Sequence, residues 1–333
     1  MTLCILPHLL PKGYGSSIPD SETGLWHPAQ MAETPQHWIA ELERSGFRGS
    51  LEPKRSLASL TTFRIGGPAK LLATPTSVDD LGVILSWAAR TGISWRILGN
   101  GSNILVRDQG VDGVVVRLRR VLDEISVSGT HVDVGAGASF PALARRCAGS
   151  GLSGLEFAAG IPGTVGGAIV MNAGWHEFEI GNHVTHVDWI DASGGRQQTL
   201  HDDCDFRYRG SRFRDADGVV VAARLHLAKD DPAAITRRLE QFADSRKQNQ
   251  PTELPSCGSV FLKPEGDFAG RLIEEAGLKG FRVGAAEIST LHANFFVNRG
   301  HATAEEMLQL VQHTETMILQ KFGIRLVREF ELW

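Results

Sequence analysis

The chain has 333 residues, 42% of them hydrophobic and 22% charged, the balance of an ordinary folded protein with two or three subdomains, so wholesale disorder is excluded. Thirty-four basic against 38 acidic residues leave a net charge of −4; this offers no footprint for nucleic acid, while a few arginines in one pocket could still hold an acidic small molecule. No apolar run reaches the roughly 18 to 20 residues that span a bilayer.

Residues 1 to about 50 are rich in Pro, Gly, Ser and Thr, with one short helix-like stretch at 35–43. They read as a poorly structured extension outside the main fold, and Met31 could be the natural start. The apolar beginning is short, broken by two prolines and without a basic n-region, so no signal peptide is expected. Ser77 and Asp80 then mark a helix start, with Leu81, Ile84, Leu85 and Ala88 on one face. Short apolar runs at 95–98, 104–106 and 113–118 predict strands with tight turns, and 125–127 with 131–134 a hairpin. Ser139 and Pro141 open a helix to about Ser150. Strands follow at 184–191 and 219–227, and a long helix from Pro232 to about Gln248. After the segment 249–255, which could divide domains, come a helix at 268–276 and a strand at 294–298. A capping-box helix starts at Thr303 with Glu306, and a final strand spans 324–332.

Glycine is the compositional outlier. The 37 glycines are about 11% of the chain against a usual level of roughly 7%, and fifteen of them fall between Gly99 and Gly174. Gly99, Asn100, Gly101, Ser102 and Asn103 form a loop between two strands, where glycines let backbone approach a ligand and the N–H groups can nest an anion. It is not GxGxxG and no helix follows, which disfavours a nicotinamide-type Rossmann site. A second stretch carries Gly160, Ile161, Pro162, Gly163, Thr164, Gly166 and Gly167, a surface on which an extended ligand could lie. Either alone is equally a tight turn or a close packing contact; the two together favour a ligand.

Residues 206–213, FRYRGSRF, interleave three arginines with Tyr208. They could be a solvated face or an anion clamp, in which one Arg grips a carboxylate or phosphate bidentately. Ser256 and Cys257 lack GxSxG and a nearby His, so nucleophilic catalysis is not expected. Cys4, Cys147, Cys204 and Cys257 have no CxxC spacing, and the twelve histidines form no HxxxH or HExxH pattern. Reduced thiols in a cytoplasmic protein and no metal site are the expectation.

Taken in order, these segments resemble the UDP-N-acetylenolpyruvoylglucosamine reductase family, flavoenzymes of bacterial peptidoglycan synthesis. The likeness runs from about Leu57 to the C-terminus and rests on TTFRIGG at 61–67, GNGSN at 99–103, GIPGTVGG at 160–167, YRGS at 208–211, GSVF at 258–261 and HANFFVN at 292–298. Each is weak alone; six in sequence are specific. The spacing is that of the shorter class, which lacks a tyrosine loop over the substrate.

The resemblance implies an α+β protein: the FAD-binding fold of p-cresol methylhydroxylase and vanillyl-alcohol oxidase, followed by a C-terminal α+β substrate domain. The FAD-binding part would cover 51–230, as two α/β subdomains with a break near 119, and the substrate domain 231–333. The first glycine loop would hold the FAD pyrophosphate and the second would pack along pyrophosphate and flavin. Some relatives attach the flavin through a His; with none between His131 and His176, noncovalent FAD is implied. NADPH would supply a hydride that passes through the flavin to C3 of an enolpyruvyl ether on a UDP-sugar, and C2 is then protonated. By matching motifs Arg209 and Glu329 would hold the substrate carboxylate, Ser259 would donate the proton, and Tyr208 and Asn298 would contact substrate. A Glu beside a carboxylate must carry a proton to help, so a raised pKa is expected for Glu329.

Some positions depart from the family's usual residues. Asn249 stands where many relatives carry a Lys thought to meet the substrate diphosphate, Leu262-Lys263 replaces Lys-Asn, and the segment WHEFE at 175–179 lacks the usual Ala-Tyr-Gly. The tail leaves Glu329 and Glu331 as alternatives, of which Glu329 fits by its distance from Gly323. No partner beyond the small-molecule substrate is implied, neither nucleic acid nor membrane, and nothing requires more than a monomer. Two other readings of the glycine loops are an FAD-dependent oxidase of the same fold acting on a sugar or alcohol, and a nucleotide-binding relative without activity.

Overall fold

The computed structural model describes residues 34–333; Cys4 and the alternative start at Met31 lie outside them. A four-stranded sheet comes first. Ser50–Ser56 pairs antiparallel with Pro68–Thr74, which runs parallel to Val111–Arg117, itself parallel to Trp95–Leu98. Val114, Val115 and Val116 are all fully buried, as expected of an inner parallel strand covered on both faces. The helix Val78–Thr91 buries Leu81, Ile84, Leu85 and Ala88 as its periodicity predicts, and Ser77 Oγ caps it by accepting from Asp80 N.

The N-terminal expectation fails over 34–50. Pro35–Arg44 is a helix whose Trp38 and Leu42 are buried in the same core as the helix Val78–Thr91. Trp38 meets Trp87 edge to face at 5.9 Å, and Trp87 Nε1 donates to Glu41 Oε2 at 3.0 Å. Two large apolar side chains four residues apart form one helix face, and that face covers apolar surface the sheet-and-helix layer would otherwise leave in water.

A second, fully antiparallel sheet has the order Arg196–Leu200, Val184–Asp191, Gly218–His226, His131–Gly135, Ile125–Ser128. The helix Phe140–Gly149 buries Phe140, Leu143, Ala144 and Cys147 in its core. The long helix Pro232–Asn249 belongs to this part as well, although the expected boundary at 230/231 would place it with the C-terminal domain. Arg238 pairs with Glu156 at 2.8 Å, and Phe242 packs against Trp175 and Phe178.

The remaining residues build a three-stranded antiparallel sheet (Arg282–Val283, Ala286–Ile288, Phe296–Asn298) under the helix Ala304–Phe322, which carries the expected Thr303–Glu306 capping box. The final strand is shorter than the sequence suggested. Only Glu331–Leu332 is a strand, and it pairs parallel with Ile104–Leu105. That pairing returns the chain end to the first glycine loop. Among the described residues no helix is long and apolar enough to cross a membrane.

Candidate active site

A cavity of about 730 Å³ lies where the three parts meet, and both glycine stretches line it together with Arg209, Ser259 and Glu329. The loops are built to touch each other. A Cβ on Gly99 would stand 2.5 Å from Thr164 Oγ1, and one on Gly166 2.9 Å from the Ala136 Cβ. Gly101 adopts φ +62°, where a Cβ would meet the Leu60 carbonyl at 2.5 Å; only glycine fits there. Gly163 differs: a Cβ would find no protein atom nearer than Ser102 Oγ at 3.8 Å, so its bare backbone faces open space in the cavity. Backbone bonds from Phe140 N to Gly163 O and from Val165 N to Ala138 O hold the second stretch in place. Two backbone surfaces facing one long groove suit a dinucleotide cofactor such as FAD. Gly160 is not on the cavity wall; it packs against the Arg246 side chain.

Arg209 and Glu329 meet at the other end. Arg209 Nε donates to Glu329 Oε1 at 2.9 Å, and Nη2 donates to the Gly174 carbonyl at 3.0 Å. Burial raises the pKa of Glu329 despite the opposing guanidinium of Arg209. The carboxylate is therefore poised closer to neutrality than an ordinary Glu. The main chain of Glu329 is fixed twice: its N–H donates to Val260 O at 2.8 Å, and its carbonyl accepts from Asn103 Nδ2 at 3.3 Å.

Ser259 follows Gly258, whose φ of +84° makes the sharp entry to the segment. The segment is clamped by a bridge from Ser259 to Phe295 and one from Phe261 to Arg328. Ser259 is therefore presented on rigid backbone one residue from Val260, which anchors Glu329. Cys257, next to it, is buried, and burial together with nearby Glu329 pushes its thiol pKa up, so it is not a nucleophile. Cys147 and Cys204 are likewise free and buried, with thiols raised to about 12 and about 11 by burial. Among the described residues no cluster of His, Cys, Asp and Glu could hold a metal.

Other expected site residues lie elsewhere. Asn298 is buried away from the cavity: Nδ2 donates to the Phe63 carbonyl at 3.0 Å, while Oδ1 accepts from Gly300 N and Ala302 N. Its side chain is consumed in tying the loop 299–302 to the first subdomain, so it is no substrate contact. Tyr208 is 53% exposed and outside the cavity lining, with Arg209 over its ring at 5.1 Å. Of the other arginines in 206–213, Arg207 pairs with Asp205 and Asp215 at the surface and Arg212 donates to the Asp203 carbonyl. Asn249 Nδ2 donates back to Ser245, on the exposed side of its helix. Trp175, Arg214, Arg246, Gln250, Glu331 and Trp333 also line the cavity. Trp333 and Arg214 lie beside motifs already singled out; Arg246 and Gln250 carried no signal, because a basic residue on a mixed-charge helix reads as a solvated one.

Two backbone surfaces along one groove fit a flavin dinucleotide, and residues 69–200 match the FAD binding domain. Residues 250–333 match the UDP-N-acetylenolpyruvoylglucosamine reductase C-terminal domain. The chain is 43% identical over 290 residues to the UDP-N-acetylenolpyruvoylglucosamine reductase of Moorella thermoacetica, covering 87% of this chain and 95% of that one. It is 41% identical over 284 residues to that of Halalkalibacterium halodurans, covering 85% and 94%. A crystal structure of the UDP-N-acetylenolpyruvylglucosamine reductase from Thermus caldophilus matches with a TM-score of 0.74 at 36% identity, covering 86% of this chain and 99% of the other. The chain belongs to the UDP-N-acetylenolpyruvoylglucosamine reductase family, and it is an FAD-containing oxidoreductase.

Proposed function

We propose that the protein catalyses the NADPH-dependent reduction of UDP-N-acetylglucosamine enolpyruvate to UDP-N-acetylmuramate, in the cytoplasm, as a step of cell-wall synthesis. The single observation that carries this reading is the Arg209–Glu329 pair, half-buried in one cavity with Ser259 and both glycine cradles. An oxidase acting on a neutral sugar would have no use for that combination.

Gly99 to Asn103 and the stretch from Ile161 to Gly167 would hold FAD noncovalently, and the bound group would supply, from NADPH, the hydride that C3 of the enolpyruvyl group takes up. Residues up to about 250 carry this cofactor, and the C-terminal part presents Ser259 and Glu329 to the substrate. Hydride addition at C3 pushes the double-bond electrons into the substrate carboxylate, which becomes an enolate. Arg209 holds that carboxylate through its guanidinium, so charge that grows during the reaction meets a donor already in place. Glu329 accepts from Arg209 when substrate is absent. With a carboxylate beside it, burial and like-charge repulsion both favour its neutral form, which then donates its proton in a hydrogen bond. Ser259 delivers its hydroxyl proton to C2. A hydroxyl is a weak acid, so only an adjacent, strongly basic enolate carbon can take that proton, and the clamps on residues 258–262 supply the required placement.

The reading is tested by isolating the protein and assaying NADPH oxidation. A yellow protein whose NADPH oxidation depends on the enolpyruvyl sugar nucleotide supports it. Turnover that depends on oxygen and ignores that substrate would favour an oxidase, and a colourless protein would remove both.

A further inference from the structure

Arg214 lines the cavity together with Arg209 and Glu329, and its guanidinium reaches two places at once. Nη1 donates to the Arg209 carbonyl at 3.1 Å, and Nε stands 3.9 Å from Glu331 Oε1. The main chain that carries Arg214 is itself held. Ser211 Oγ donates to the Val170 carbonyl at 3.0 Å, and the buried Phe213 meets the Trp189 ring edge to face at 6.0 Å. Arg209, just before this anchored segment, sits at φ +54°, which a residue with a Cβ keeps only where its surroundings impose it. The bond from Arg214 is one such constraint, and it acts on the residue whose guanidinium has to face the substrate carboxylate.

Glu331 is fixed from the other side. Its N–H donates to the Asn103 carbonyl at 2.9 Å, in the first glycine loop, and its Oε2 faces Trp333 Nε1 at 3.5 Å. Arg214 therefore links the turn of Arg209 to the chain end that carries Glu329, and it acts on Glu329 by charge as well. Arg209 and Arg214 both favour the ionised form of that carboxyl, and the buried thiol of Cys257 feels its charge. Arg328 is turned away onto Glu315 at 2.6 Å, and burial lowers the pKa of His292 on the cavity wall. Glu331 is the anion that offsets Arg214, so it weakens the pull of that cation on Glu329.

We propose that Arg214 is a positioning residue of the reductase: it holds the main chain of Arg209 and, balanced by Glu331, sets how readily Glu329 carries the proton it offers the substrate. The kinetic side of this rests on the reductase reading; the charge balance is measured without turnover.

Melting temperatures of the FAD-loaded protein with and without Glu329→Gln are followed upward from pH 4 in the wild-type, Arg214→Gln and Glu331→Gln backgrounds. The pH at which each pair of curves becomes parallel marks where Glu329 ionises in the folded protein. Arg214→Gln removes a cation and should move that pH up by about half a unit or more, whereas Glu331→Gln removes the offsetting anion and should move it down by a similar amount. Arg214→Lys keeps the charge and should return it to near the wild-type value, and Arg214→Met, which keeps an apolar stem, replaces the glutamine variant if that does not fold. In steady-state turnover Arg214→Gln should lower kcat about tenfold, the effect of losing a charge-assisted hydrogen bond, with a smaller change in KM. A role in folding alone would not move the two pH values in opposite directions. Unmoved values, shifts of the same sign in both variants, or a wild-type kcat in Arg214→Gln would overturn the proposal. Opposite shifts in a protein that does not reduce the enolpyruvyl sugar nucleotide would remove the reductase reading and leave the charge balance; normal turnover with unmoved pH values would do the reverse.

Discussion

Arg209 Nε donates to Glu329 Oε1 at 2.9 Å across 120 residues of chain. Two local devices make the contact. Arg209 sits at φ +54° in the tight FRYRGSRF turn, whose Arg207 and Gly210 bond each other, and the parallel pairing of 331–332 with 104–105 brings the last residues to the first glycine loop.

The raised pKa of Glu329 makes its contribution to stability pH-dependent. In the unfolded chain it titrates near 4.5; between that value and the higher native one the folded state binds the extra proton. Stability from this group is thus full below 4.5 and falls as pH rises through the native pKa. Melting temperatures of wild type and Glu329→Gln, followed upward from pH 4, should diverge in favour of the variant and then run parallel. Curves parallel throughout would mean an ordinary carboxylate.

Gly163→Ala and Gly101→Ala should separate cofactor binding from folding. The alanine methyl at 163 meets no protein atom closer than 3.8 Å, so the apoprotein should melt as wild type does while FAD affinity falls. At Gly101 the positive φ and the Leu60 carbonyl should cost the fold itself more than about 1 kcal/mol. Calorimetry of both apoproteins with FAD titration checks this; unchanged FAD binding by Gly163→Ala would move the cofactor off this loop.

Asn298→Ala should act on stability and spare the substrate. Removing its amide leaves the Phe63 carbonyl and the Gly300 and Ala302 N–H groups without partners, at about 2–4 kcal/mol. Denaturant unfolding gives the loss. A raised KM with unchanged stability would restore it as a substrate contact.

Trp38→Ala should destabilise by about 3–5 kcal/mol, because the ring is buried against Trp87. A variant as stable as wild type would return this helix to the status of a loose extension.

The two glycine loops and Arg209 stood out in the sequence by residue types that serve backbone approach or charge, whereas Ser259 and Glu329 came forward only through the family resemblance; the fold brings all of them to one cavity. The parallel return of the chain end was not legible, since 324–332 gives the same apolar pattern whether it forms one long strand or two paired residues. Asn298 was misread for a similar reason: an Asn ending a buried strand looks the same whether its amide meets a ligand or three backbone groups. Trp38 and Leu42 showed helical spacing, but a ten-residue helix in a Pro- and Gly-rich stretch reveals its packing only once the helix Val78–Thr91 is in place. Arg246 was hidden because the mixed charge of its helix, with Asp244, Lys247 and Arg238 nearby, predicts an exposed side chain.

The most direct measurement is an anaerobic two-step reaction on wild type and Ser259→Ala. Each protein is reduced with NADPH, then mixed with the enolpyruvyl sugar nucleotide, and the return of the oxidised flavin spectrum is timed. Both should be reduced at similar rates, wild type should be reoxidised with formation of the muramate product, and Ser259→Ala should be slower in that second step by about 10² or more. Equal loss of both steps in the variant, or a wild-type flavin that stays reduced with the substrate present, would contradict the account.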